Sequence, residues 1–294
     1  MERAKGILYA ALSSSTFGLA PLFTLLLLAE GYSPFEALSY RWGVAALFLG
    51  ALAVFSGRSF RLGRRELVTV FLLSLFRAAT SLSLIIAYQH IASGVASTIH
   101  FMYPLAVALA MMCFFREKGS AWVFAAIGMS VVGAVLLSLG NVDFTVENSA
   151  LGMVSARVSV FSYGGYIVGV RKSRAVEIDS AVLTCYVMGL GALYFILGGL
   201  LTGGVRIETD GMTWLCILGL ALPATALSNM TLVQAIKRIG PTLTSIFGAL
   251  EPVTAVVIGV AVFGEPFTAQ GAAGILLIVA AVSVVVLRTG RRPQ

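Results

Sequence analysis

The chain has 294 residues, 59% of them apolar and only 11% charged, against about 45–50% and about 25% in soluble domains. A larger core cannot account for that deficit of charge, because a globular surface still needs it, so a soluble globular protein is excluded. The formal net charge of +7 would fit nucleic acid only if it gathered in a patch; the basic residues instead fall between hydrophobic runs, and no nucleic-acid partner is expected.

A hydrocarbon core of about 30 Å takes roughly 20 apolar residues as a helix. Ten such runs follow one another, at about 6–29, 34–56, 67–89, 93–115, 120–139, 150–170, 180–201, 213–235, 241–263 and 268–288. The first follows Arg3 and Lys5 in the manner of a secretory signal, yet it exceeds the roughly 7–15 residues of an h-region and reads as part of the fold. The connections are short, and Gly-Tyr-Ser-Pro at 31–34 and Gly-Asn-Val-Asp at 140–143 mark turns. No loop is long enough for a soluble domain, so an all-α integral membrane protein of one domain is expected. Cys113, Cys185 and Cys216 lie within apolar runs; their odd number and wide spacing predict neither a disulfide framework nor a metal site.

Lys and Arg set the orientation. One side of the membrane collects Arg3, Lys5, Arg58, Arg61, Arg64, Arg65, Arg116, Lys118, Arg171, Lys172, Arg174, Lys237, Arg238, Arg288, Arg291 and Arg292; the other holds Arg206. Cytoplasmic loops carry the positive excess, which places both termini in the cytoplasm. The lack of a cleaved leader or organelle-targeting composition points to a bacterial cytoplasmic membrane.

The two halves repeat. A shift of 148 residues lays the fourth and fifth runs on the ninth and tenth: Ile91 on Ile239, Ser97 on Ser245, Pro104 on Pro252, Phe115 on Phe263, Glu117 on Glu265, then Ala121, Ala125 and Ile127 on Ala269, Ala273 and Ile275. A shift of 146 lays the first on the sixth, with Gly6 on Gly152, Ala10 on Ala156, Ser13 on Ser159 and Gly18 on Gly164. Five crossings per half is an odd number, so residues 1–139 and 150–288 form two repeats of inverted topology. Secondary transporters are commonly built this way, with substrate near the midplane at the repeat interface.

Ten helices in inverted halves, the stretch LEPVTAVVIGVAVFGEPFT at 250–268 and the following QGAAGILLI resemble the drug/metabolite transporter superfamily, and within it the EamA-type exporters. The first half departs from that pattern: Tyr103 stands opposite Glu251, and Arg116-Glu117-Lys118 opposite Gly264-Glu265-Pro266. The resemblance implies export of small metabolites, amino acids prominent among them; no cofactor is expected.

Ionisable groups inside a span usually face the bundle interior or a wet cavity. Glu251 and Arg77 fall near the midplane, about 15 and 16 Å into their helices. A carboxylate at that depth has to be matched by a cation or a proton, so Glu251 reads as a proton-coupling group, a substrate-amine acceptor, or half of an ion pair with Arg77. Arg77 could hold a substrate carboxylate or cap carbonyls freed at a proline. Arg41 and Arg157 are shallower and are expected to snorkel toward the outer interface.

Prolines within spans free a carbonyl each, which makes Pro104 and Pro252 candidate kink and gating positions. Ser81 and Tyr88 share a stripe with Arg77; Ser97, His100 and Phe101 share one face of the fourth helix, with Tyr103 beside it. Tyr163 and Tyr166 from the sixth, Asn229 from the eighth and Ser245, the counterpart of Ser97, complete a candidate cavity with aromatic walls and few charges. Gly165 and Gly169 are spaced for close helix packing.

An amphipathic substrate with an aromatic or aliphatic body suits that lining better than a sugar phosphate or a strong anion. A nucleotide-sugar or phosphorylated-metabolite carrier of the same fold is the alternative; a channel or an intramembrane enzyme lacks the charge rings or nucleophile pairs it would need. The chain is therefore expected to be no enzyme but a secondary transporter, with substrate, lipid and protons as partners and with monomer and dimer both open.

Overall fold

The computed structural model describes residues 2–91, 93–117, 119–139, 150–263 and 268–289. Among these residues the secondary structure is helical throughout. The loop residues Lys118, Gly264, Glu265, Pro266, Arg291 and Arg292, and the turn at 140–143, lie outside them.

Ten crossings are present among the described residues. The first is α1 (Glu2–Phe17) with α2 (Ala20–Ala29); α3 (Pro34–Phe55) and α4 (Arg64–His90) follow; α5 (Ser93–His100) and α6 (Tyr103–Phe115) share the fourth. Then come α7 (Ala121–Leu139), α8 (Ala150–Lys172) and α9 (Ser180–Thr202). The eighth crossing joins α10 (Gly211–Ala221) to α11 (Ser228–Ile239) through a π-helical turn, Leu222–Leu227. The ninth is α12 (Pro241–Phe247) with α13 (Leu250–Phe263), and α14 (Ala269–Thr289) closes the bundle.

Local chemistry starts these helices where they start. Ser33 accepts from the Glu36 backbone at 3.2 Å while Glu36 returns the bond to Ser33 N at 2.9 Å, with Pro34 in the first turn of α3. Asp179 and Asp210 cap α9 and α10 through their carboxylates. Gly240, at φ 82°, ends α11, and Pro241 opens α12 directly after it.

Each intramembrane proline marks an interruption. Pro21, Pro104 and Pro252 stand in the first turns of α2, α6 and α13, and Pro223 lies in the π turn. A proline cannot donate to the preceding turn, and the chain tightens to recover bonds: Leu19 N to Thr16 O at 3.3 Å, Met102 N to Ile99 O at 3.0 Å, Ala249 N to Ile246 O at 3.2 Å.

The packing has a two-fold regularity. Helix α1 lies on α11 and α4 on α8, while α3 pairs with α9, α7 with α14 and α6 with α12. Exchanging each crossing for the one five places along returns the same set of pairs. Glycine contacts repeat the register too. A Cβ on Gly6 would come within 2.5 Å of Ile239 Cγ2, and one on Gly152 within 2.7 Å of Ile91 Cγ2, the same shifts of 146 and 148 that relate the halves. Gly165 and Gly169 pack against Phe76 and Leu73 of α4, so this small-residue pair serves contact within the chain.

Large apolar side chains such as Leu47, Phe55, Phe114, Phe161 and Leu201 point outward, as a lipid-facing surface requires. One end of the bundle is basic: Arg171 donates to Lys237 O, Arg238 pairs with Glu2 and Arg58 with Asp179. The opposite end carries Glu36, Arg206, Glu208 and Asp210 in a separate network.

Candidate functional site

The site grows from the π turn. Pro223 cannot donate to the preceding turn, and within the π turn Thr225 Oγ1 donates to Leu220 O at 2.7 Å. The same hydroxyl accepts from Arg41 Nε at 2.6 Å. One turn later Asn229 donates Nδ2 to Thr225 O at 2.8 Å and accepts from Arg77 Nε at 2.8 Å. Two arginines from different helices are thereby pinned to the eighth crossing by their Nε edges. Arg77 Nη1 also reaches Ser81 Oγ, at 3.4 Å.

Both guanidinium groups lie beside the Phe17 ring, Arg41 at 5.6 Å and Arg77 at 5.4 Å, and Arg77 lies 5.0 Å from the Tyr163 centroid. They line a narrow cleft of about 30 Å³ with Phe17, Pro21, Thr24 and Tyr88. The lining runs from Arg77 at mid-depth along α4 to Tyr88, toward the acidic end. Its volume is far below the roughly 300–1,000 Å³ of small-molecule pockets, so a ligand needs the surrounding helices to part.

Arg41 departs from the sequence expectation. It does not snorkel to the interface but is buried, at 5% exposure. Ala37, Arg41, Ala45, Leu49 and Ala53 form a stripe at i, i+4 spacing, and all are buried. That alanine stripe was the available signal for an inward Arg41; Phe17, Thr24 and Thr225 had none as distinctive. Arg157 is exposed.

Three broken helices meet at mid-membrane. A Cβ on Gly18, at the α1–α2 break, would come within 2.5 Å of Glu251 O and 2.8 Å of Thr254 Cβ. One on Gly248, at the α12–α13 break, would fall 1.5 Å from the Tyr103 hydroxyl, at the start of α6. Around Tyr103 the aromatic residues close up: Tyr163 at 4.7 Å edge-on, His100 at 5.3 Å, Phe101 at 6.1 Å. His100 stacks on Tyr163 at 5.4 Å, and its Nδ1 lies 2.8 Å from Ser159 Oγ.

Of the residues singled out from sequence, Arg77, Ser81 and Tyr88 line the cleft. His100, Phe101, Tyr103 and Tyr163 form the aromatic cluster beside it, and Asn229 holds Arg77 from behind. Ser97 lies 3.4 Å from the Tyr88 hydroxyl. Tyr166 is packed at 5.9 Å from the Arg77 guanidinium, and Ser245 turns back on its own helix to donate to Thr242 O at 2.8 Å. Glu251 is buried, at 7% exposure, and within electrostatic reach of Arg77, Tyr103 and Tyr163. The ion pair with Arg77 does not form: among the described residues no cation stands within 4.0 Å of Glu251. Pro104 and Pro252 open the two helices that meet through Tyr103 and Gly248.

A second cavity, about 220 Å³, lies at the basic end between α6, α7 and the α11–α12 turn, with Glu117 and Thr242 in its wall. The Tyr103–Gly248 contact closes the mid-membrane ends of α6 and α12 above it.

At the acidic end, Arg206 donates through its backbone N and its Nε to Glu36 Oε1 at 3.0 and 3.2 Å and lies 4.2 Å over the Tyr32 ring. The Tyr32 phenol donates to Glu208, and that bond holds the Glu208 carboxyl below the usual carboxylate range. Burial, then the same contact, pushes the Tyr32 phenol well up. Among the described residues no group of three or more His, Cys, Asp or Glu gathers as a metal site would need.

The model of the EamA-like transporter family matches this chain twice, over residues 4–139 and 150–287. The chain belongs to the EamA-like transporter family. This transporter is 27% identical over 287 residues to the Bacillus subtilis (strain 168) protein "Uncharacterized transporter YojE", covering 92% of this chain and 90% of that one. A crystal structure described only as "Crystal structure of protein" superposes with a TM-score of 0.80 at 19% identity, over 99% of this transporter and 98% of that chain. At that identity the likeness is one of fold.

Proposed function

We propose that this EamA-like transporter exports small neutral, amino-acid-like metabolites, with aromatic or aliphatic bodies, across a bacterial cytoplasmic membrane by alternating access. The observation that carries the reading is the meeting of three broken helices, at Gly18, Tyr103 and Glu251, beside a mid-depth cleft with aromatic walls. Residues 1–139 and 150–288 act as the two inverted five-helix repeats, and exchanging their packings opens the cleft to one side and then the other. The basic end is cytoplasmic and holds both termini. Glu251, without a cation in contact, carries a proton or receives the substrate amine, and Pro104 and Pro252 let the broken helices bend.

Proteoliposomes loaded with labelled phenylalanine or leucine test this. An imposed pH gradient should accelerate flux in the native chain, whereas Glu251→Gln should retain exchange but lose the response to the gradient. Identical rates with and without the gradient would remove the proton role. One observation favours the second reading, a phosphorylated-metabolite carrier: two arginines rather than one enter the cleft. Inhibition by nucleotide sugars but not by amino acids would select it.

A further inference from the structure

Arg41 and Arg77 are 5% and 1% exposed, and no carboxylate among the described residues lies within 4.0 Å of either. Two like charges in one cleft repel, and burial costs each of them hydration. The chain nevertheless holds them there: Thr225 in the π turn and Asn229 in the first turn of α11 take their Nε atoms, so both guanidinium groups are oriented by the eighth crossing. The Nη ends are not spent in the same way. Arg41 Nη2 is buried without any hydrogen-bond partner, and a buried unpaired donor on a charged group is costly to leave so.

We propose that Arg41 and Arg77 form an anion subsite that receives the carboxylate of a small organic acid, amino acids included; this rests on reading the cleft as the substrate path. A planar carboxylate accepts two parallel N–H bonds from a guanidinium edge. Phosphate monoesters fit less well, since two Nε donors and one Nη of Arg77 already have partners and Glu251 stands within electrostatic reach of Arg77. Phe17, Leu84 and Ile85 beside the arginines offer an apolar wall to an organic body, which a hydrated chloride would not use.

The test is thermal stabilisation of the purified full chain in lipid nanodiscs by five probes: 3-phenylpropionate, L-phenylalanine, L-phenylalaninamide, phenyl phosphate and sodium chloride. Both carboxylates should raise the unfolding midpoint where the amide does not. Arg41→Gln should weaken the carboxylates by about tenfold or more, Arg41→Lys should weaken them less, and Arg61→Gln, at the exposed basic end, should leave them unchanged. Should Arg41→Gln fail to fold, Thr225→Val, which removes the acceptor that orients Arg41, should also weaken carboxylates without affecting the amide. Equal response to acid and amide, or carboxylate binding indifferent to Arg41→Lys and Thr225→Val, overturns the subsite. A preference for phenyl phosphate or for chloride alone overturns it as well. If 3-phenylpropionate binds through Arg41 and phenylalanine does not, the subsite stands and the amino-acid cargo falls; if phenylalanine and its amide bind alike, the reverse holds.

Discussion

At the scale of single residues, the position that carries most consequence is Gly248. Its counterpart one repeat earlier is His100, a residue with a large ring, yet no side chain fits at 248 because the Tyr103 hydroxyl occupies the space. Gly248→Ala should therefore overpack the crossing and destabilise the protein by about 1–3 kcal/mol. Tyr103→Phe removes the clashing oxygen, so the double variant should recover much of the loss. Thermal melts of the four proteins in detergent check this, and strict additivity would show that the two residues do not share the contact. Neither partner is unusual in sequence; Gly248 is one of 31 glycines. The contact was invisible until α6 and α12 were placed together.

At the scale of elements, the broken helices matter more than the continuous ones. Pro252 lies in the first turn of α13, just after the α12–α13 break. Pro252→Ala restores a backbone donor and favours a continuous helix, so flux in proteoliposomes should fall severalfold while the melt stays near native; unchanged flux would assign Pro252 a static role. The connection between α9 and α10 is held differently. The bond from Tyr32 to Glu208 is stronger while that carboxyl is ionised, and it holds the carboxyl below its usual range. A depressed carboxylate stabilises fully above its unfolded value, and the contribution is lost as pH falls through the folded one. Acidification below the ordinary carboxylate range should thus loosen this loop in the native protein, seen as faster proteolysis at 203–210, while Glu208→Gln should already be loose at neutral pH and respond less. The prolines were legible from sequence as kink positions. The Tyr32–Glu208 bond was not, because it joins residues 176 apart.

At the scale of the whole molecule, the charge asymmetry between the two ends predicts sidedness. Cysteines introduced at the exposed positions Ser59, at the basic end, and Thr209, at the acidic end, should react oppositely with an impermeant maleimide in a background without native cysteines. Thr209→Cys should label in intact cells and Ser59→Cys only after permeabilisation; labelling of both from outside would break the proposed topology. The number and extent of the crossings could be read directly from sequence, since a lipid core demands a fixed length of apolar helix. The repeat could be read too, because the paired prolines and glycines keep one register. The interior of the site could not. Hydropathy says that a charged residue must avoid lipid but not which way it turns, so Arg41 was expected at the interface and is found facing Thr225. Glu251 and Arg77 have matching depths, yet depth along two helices leaves their lateral separation open, and the two do not come within ion-pair distance. Helix length and internal symmetry follow from the one-dimensional pattern of residue types. Which polar groups meet is decided by rotation and close approach of helices, and these depend on contacts between residues far apart in the chain.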